Sequence, residues 1–407
     1  MNISKLINIF LRGSTLLSRV ILFLFIAKYL EPNQVGLFGL VLASIYLSVY
    51  AVGLEFYVYS TRELLRYNKS NWGHFLKSQC VLHIILYFLT FPLLLTLFIF
   101  KFLPWNFVVL FFLILFLEHI TTELVRLLIA LNKQISSSIV LFFKSGLWCI
   151  VITIQIIFFK EFRALEYILL SWIFSLVVAL LIALVFLYKI KIGGWRNRFK
   201  YQWIVKGLKI AIPLLISTLA IRAIFTIDRY WVEILLGSEI LGVYVLFIGF
   251  ATSIMSFMDA GVFSFSYPNL VKSYNLKNIK NFNKETKLLK KNTILLTSFS
   301  AIVALIIIKP ILFFINKPIY FENIFIFYWL LAVMIIYILS MIPHYLLYAQ
   351  RYDKVIIKSH LIAFAIFVIT TGFLSGSNPN YSVLIGLIFS FSFILIYKTL
   401  SYLKNNT

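Results

Sequence analysis

Arginines and carboxylates set into otherwise apolar sequence carry the chemistry open to this chain. Arg12 and Arg19 stand seven residues apart, and so do Arg222 and Arg229; on a helix that interval leaves two side chains within about 20° of one face. A guanidinium offers a planar fork of donors suited to phosphate or carboxylate, so each pair forms a track for an anion. Arg12 and Arg229 also admit a plainer account, snorkelling to opposite interfaces with Asp228 beside Arg229 as a local partner. Arg19 and Arg222 lie too deep for that. A second constellation is Glu118, His119, Thr122, Glu123 and Arg126, which share one polar helix face about 140° wide. Glu123 and Arg126, three apart, can neutralise one another; alternatively Glu118 or Glu123 exchanges a proton. Glu118 has no cation three or four positions away in its own helix, which leaves it the freer carboxylate. Lys144 is a further cation in apolar sequence, while Glu55 and Asp259, near stretch ends, offer gate contacts between the halves of the chain.

These residues are positioned by twelve apolar stretches, near 7–30, 35–59, 78–100, 107–131, 136–158, 167–188, 208–235, 240–265, 292–314, 324–348, 355–373 and 381–402. Each is long enough to cross a ~30 Å hydrocarbon core as a helix. Composition agrees, since 62% hydrophobic and 13% charged residues leave too little polar surface for a soluble fold. Continuous apolar runs of this length suit helices and not the alternating strands of a membrane barrel. The expected fold is an all-α integral membrane protein. Charges inside such helices cost roughly 2.5–3.5 kcal/mol each, so they ordinarily face a cavity or a partner. The first stretch lacks a cleavage pattern and is expected to remain as a spanning helix.

The net charge of +23 is sorted by side, with 26 Lys and Arg at the even-numbered connections and termini against 6 at the odd-numbered connections. By the positive-inside rule the basic set is cytoplasmic, which predicts a multi-pass protein with both termini in the cytoplasm; the bacterial inner membrane is the location implied by the family resemblance described below. The basic connections Lys189 to Lys209 and Lys272 to Lys291 carry no nucleic-acid module; attraction to anionic lipid head groups accounts for them. Cys80 and Cys149 lack a CxxC spacing and read as small apolar residues. The five histidines are scattered without metal-ligand spacing, and no Walker A loop is present, so neither a metal, a cofactor nor ATP hydrolysis is expected.

The chain also repeats itself. "LEPNQVGLF" from Leu30 and "LGSEILGVY" from Leu236 share a Leu, a Gly and an aromatic at a constant offset of 206 residues, each at the turn between the first two stretches of a half. Residues 1–190 form the expected first lobe, 191–207 a linker and 208–407 the second lobe. In the segments "LLSRVILFLFIAKYLEPNQVGLFGLVLA" and "IDRYWVEILLGSEILGVYVLFIGFATSI" the chain resembles the multidrug/oligosaccharidyl-lipid/polysaccharide (MOP) exporter superfamily, and within it the Wzx-type flippases of O-antigen and capsule synthesis. The resemblance implies two six-helix lobes around a central cavity, MATE-like, working by alternating access. It implies a non-enzymatic transporter of undecaprenyl-diphosphate-linked oligosaccharide, with a downstream polymerase and chain-length regulator as partners. Arg12, Arg19, Arg222 and Arg229 would then contact the diphosphate as an interleaved ladder, and proton or sodium coupling would run through Glu118, Glu123, Arg126 or Asp228, with Glu55 and Asp259 as gates. The rival readings are a drug or metabolite exporter of the same superfamily, and an integral-membrane glycan polymerase or ligase. Arginine surplus disfavours the first and short connections the second.

Overall fold

The computed structural model describes residues 3–404 and, of residues 3–6 and 9, the backbone alone. Among the described residues all regular structure is helical. Eleven helical stretches are long and apolar enough to cross a membrane, and one of them, Tyr201–Asn275, is interrupted at Gly237 with φ 83° and ψ 171°. That left-handed residue, which glycine adopts without a Cβ clash, divides the stretch in two and gives twelve spans. They are α1 (Ile3–Tyr29), α2 (Pro32–Gly53), α3 (Trp72–Ile99), α4 (Val108–Ala130), α5 (Gln134–Phe158), α6 (Leu165–Tyr188), α7 (201–236), α8 (238–275), α9 (Ile279–Ile315), α10 (Ile324–Ala349), α11 (Asp353–Leu374) and α12 (Pro379–Lys404). The protein is a multi-pass membrane protein.

Several boundaries differ from the expected ones, and each has a local cause. α2 stops at Gly53, not near 59, because Leu54 and Glu55 take positive φ (49° and 53°). The chain then restarts as the short helix Tyr57–Leu64. α9 begins at Ile279 instead of near 292, so most of the second basic connection is helix. At 37 residues α9 is ~55 Å long, well beyond the hydrocarbon thickness, and its Lys-rich first turns extend past the apolar part. Two π-helical turns interrupt α5 and α8, at Phe143–Leu147 and Asp259–Phe263. Hydropathy does not reveal such turns, yet each carries one of the intramembrane charges, Lys144 and Asp259.

Contacts divide the chain into two compact units, residues 1–30 with 37–219, and residues 31–36 with 220–407. The expected linker 191–207 is packed into the first unit. Gly73 N donates to Gly193 O at 2.7 Å, Gly193 N donates to Lys69 O at 3.1 Å, and Lys77 Nζ reaches the carbonyls of Trp195 and Asn197. Trp203, at the start of α7, closes an aromatic cluster with Phe56, Tyr59 and Phe75. In the second unit the excursion 31–36 lies against the α7–α8 turn. A Cβ on Gly36 would stand 3.0 Å from Gly242 N, and one on Gly242 would stand 2.0 Å from Pro32 O. Gly36 and Gly242 are the glycines that the 206-residue repeat superimposes, and both are required by close backbone approach.

Candidate functional site

The polar residues of the first unit form connected pairs, and most bonds run between neighbouring helices. Arg19 Nη2 donates to Tyr46 OH of α2 at 2.9 Å, with the guanidinium carbon 5.7 Å from that ring's centroid. Tyr46 is uncharged as a donor or acceptor, so this bond orients the arginine without cancelling its charge. Arg12 is exposed, and its Nε donates to Ser138 Oγ of α5 at 3.4 Å. The two α1 arginines are thus held by different neighbours.

Glu118 corrects the sequence reading. It lacks a cation within α4, but Lys144 Nζ from the π turn of α5 lies 2.7 Å from Glu118 Oε1, with both side chains buried, and Lys144 also donates to Thr122 Oγ1. A buried carboxylate beside an ammonium is held by that partner, so the ground for preferring Glu118 over Glu123, a carboxylate without a cation, does not hold in the structure. Glu123 pairs with Arg126 at 2.5 Å as expected, and Gln79 Nε2 of α3 donates to its other oxygen at 3.0 Å. The Arg126 guanidinium carbon stands 3.6 Å from the centroid of the Tyr57 ring. Glu55, buried just beyond α2, is in hydrogen-bonding reach of Tyr57 and Thr218 and near Arg126. It belongs to this network of the first unit. His119 Nδ1 is 2.6 Å from Tyr87 OH, and its ring centroid is 4.6 Å from that of His83.

Tyr57, Gln79, His83, Tyr87, His119, Glu123 and Arg126 form one side of a cavity of about 1400 Å³ in the first unit, bounded by α3, α4, the end of α6 and the short helix Tyr57–Leu64. Its opposite walls are apolar, with Ile84, Phe116, Ile120, Leu184 and Val185, and Lys189 and Lys191 stand at the end towards the basic connection. Ile84 and Val185 are each more than half exposed, so these walls continue into the lipid-facing surface.

In the second unit Asp228 is fully buried and fully engaged. It accepts from Tyr244 OH of α8 at 2.6 Å, from Arg229 N at 2.7 Å and from Arg229 Nη1 at 3.3 Å. Arg229 also bonds the carbonyl of Phe225. Asp228 therefore fastens α7 to α8. Tyr244→Phe is expected to lower stability by about 1–3 kcal/mol through the lost bond to a charged acceptor, measured as a shift of the unfolding midpoint in detergent. Arg222 is exposed, and Asp259, also exposed, is within its electrostatic reach. The gate contact expected of Asp259 has its cation in the same unit.

The sequence reading named both ends of two of these pairs, Glu123 with Arg126 and Asp228 with Arg229, but missed Tyr46, Tyr57, Gln79, Tyr87 and Tyr244. A signal for several existed. Glu118 and Lys144, and Asp228 and Tyr244, are each equidistant, within about two residues, from the connection joining their two helices, and Arg19 with Tyr46 and Gln79 with Glu123 agree within about five. In an antiparallel pair, equal distance from the turn means equal depth.

No protein-family model and no curated protein matches the sequence. Solved structures do match. An inward-facing multidrug resistance MATE family transporter of the MOP superfamily aligns with TM-score 0.76 at 13% identity, covering 98% of each chain. An outward-facing MATE family transporter aligns with TM-score 0.63 at 12% identity, over 98% of this chain and 94% of that one. The chain has the MATE-like transporter fold. A MOP superfamily transporter from Pyrococcus furiosus, described as having a binding pocket of reverse polarity that suggests a different function, shares that MATE-like fold with TM-score 0.64 at 12% identity over 98% and 94% of the two chains. The twelve-helix architecture expected from the sequence is thus found, on a fold known in two conformations.

Proposed function

We propose that this protein is a transporter, not an enzyme, and that it moves a lipid-linked oligosaccharide carrying a diphosphate from the cytoplasmic to the periplasmic leaflet of the inner membrane. The observation that carries the reading is the cavity of the first unit, with apolar walls continuous with the lipid face, lysines at one end and a hydrogen-bonded polar side. Such a slot suits an amphiphile with a long apolar tail and an anionic head, since each part meets its own kind of surface. Arg19, whose partner is a phenol, and Arg12 of the same helix supply further cationic contacts for a diphosphate in the first unit, and Arg222 and Arg229 of α7 supply them in the second. Orientation with basic connections in the cytoplasm follows from the charge asymmetry. Polymerase and chain-length regulator would act on the flipped product.

The test is flipping of a fluorescent isoprenyl-diphosphate oligosaccharide in proteoliposomes. The native chain is expected to accelerate flipping over protein-free vesicles, and Arg19→Ala, Arg222→Ala and the pair Lys189→Glu/Lys191→Glu to slow it about tenfold or more, with Arg19→Lys between because it lacks the planar fork. Failure to accelerate, together with export of a cationic dye by the same vesicles, would replace this reading with the drug-exporter one.

A further inference from the structure

The second unit contains a buried cation that neither the family resemblance nor the proposed substrate path uses. Lys398 of α12 is 1% exposed, although it stands near the end of the last helix, where a lysine ordinarily snorkels to the interface. Its Nζ lies 3.1 Å from His344 Nδ1 of α10 and 3.0 Å from His360 Nε2 of α11. The two imidazoles are near-parallel, 6° apart in plane and 6.0 Å between centroids, with the ammonium bonded to both. Among the described residues Lys398 forms no ion pair with a carboxylate. A buried ammonium without a counter-ion is costly, and what offsets that cost here is a pair of neutral bases acting as acceptors.

We propose that Lys398, His344 and His360 form a proton-binding site that holds one exchangeable proton and couples its occupancy to the packing of α10, α11 and α12. Three bases within hydrogen-bonding distance cannot all be protonated, because a second positive charge about 3 Å away in a low-dielectric interior repels the first. The trio therefore alternates between one charge and none. When the proton is present, the ammonium donates to both rings and ties three helices together. When it leaves, at least one of those bonds loses its charge assistance and the tie slackens. The site is selective for a proton over sodium, since it presents nitrogen bases and no carboxylate or carbonyl cage.

Other titratable groups stand near the trio. Tyr345 of α10 is the adjacent titratable group, its ring 5.4 Å from that of His344, and beyond it stand Tyr337 of the same helix and Tyr267 and Asp259 of α8. α7 contributes rings, Phe225 against Phe391 and Trp231 against Phe367. Asp259 acts on Tyr345 and Arg222, neighbours outside the trio.

The experiment needs no transport substrate, so its result is independent of the proposed function. Proton release by the purified full chain in nanodiscs is counted between about pH 5 and pH 9, and ¹⁵N spectra follow the histidine rings over the same range. Lys398→Arg keeps a cation that cannot deprotonate, and should release about one proton fewer than the native chain. It should also make hydrogen exchange of α10–α12 independent of pH, where the native chain shows protection that falls as pH rises. Lys398→Met should shift the His344 and His360 signals and leave those of His74, His83 and His119 in place. Equal proton counts for the native chain and Lys398→Arg, or native exchange rates flat across the range apart from the intrinsic chemical dependence, would overturn the proposal. If Lys398→Met fails to fold, the arginine variant, which retains the charge, still decides the question.

Discussion

Lys144→Met is expected to lower the stability of the protein by about 3–5 kcal/mol, because it leaves the Glu118 carboxylate buried without its cation. Glu118→Leu should cost a similar amount through the stranded ammonium. The double variant should recover most of the loss, since removing both ions also removes their desolvation penalty and leaves two apolar side chains in an apolar hairpin. Buried Cys149 provides the readout. It is inaccessible in the folded chain, so its reaction with a thiol dye during heating reports unfolding, in a Cys80→Ser background that silences the exposed cysteine. A double variant as unstable as the two singles would show that the pair does not act as a unit. Native stability of Lys144→Met would show that Glu118 is not held by it, and would restore the ground for preferring Glu118 over Glu123 as a proton exchanger.

Gly242→Ala should leave little folded protein in the membrane. The added methyl would stand 2.0 Å from the carbonyl oxygen of Pro32 and 2.6 Å from its carbon, and backbone at both sides leaves no flexible side chain to give way. Gly36→Ala, 2.8 Å from Ser238 O, should be harmful to a lesser degree. Gly13 in α1 is the control, because nothing lies within 4 Å of a Cβ there, and alanine should be neutral or stabilising by about 0.5–1 kcal/mol through its better helix propensity. Size-exclusion profiles of fluorescent fusions rank the three. A monodisperse Gly242→Ala profile with a native melting temperature would refute the close packing of the two repeat turns.

Hydropathy made the number of spans and the fold class legible, because a spanning helix is a local property of some twenty consecutive residues. Charge counts likewise identified Arg19, Lys144, Glu118, Glu123 and Arg126 as residues needing partners, while the partners themselves were less legible. Tyr46 and Gln79 are unremarkable in a chain with 23 tyrosines, and become informative only when depth is measured from the intervening turn. The π turns at Lys144 and Asp259 were hidden for another reason. One extra residue in a helical turn shifts every wheel position beyond it by about 100°, so the ideal angles stop applying at the charge of interest. Lys398 did not stand out in the sequence because a lysine near a stretch end ordinarily snorkels. His344 and His360, which supply the alternative, come from two other helices.

The equal-depth pairing of buried charges bears on how the chain enters the bilayer at all. Glu118 and Lys144 belong to consecutive helices, as do Arg19 and Tyr46, Gln79 and Glu123, Asp228 and Tyr244, and His344 and His360. If helices left the ribosome-bound translocation channel singly, each would present an unshielded polar group to lipid. Released two at a time, α4 with α5 or α7 with α8, they can satisfy those groups across the hairpin before the next helix is made. A ribosome stalled after α4 should therefore hold that helix at the channel, and synthesis of α5 as far as Lys144 should release both together.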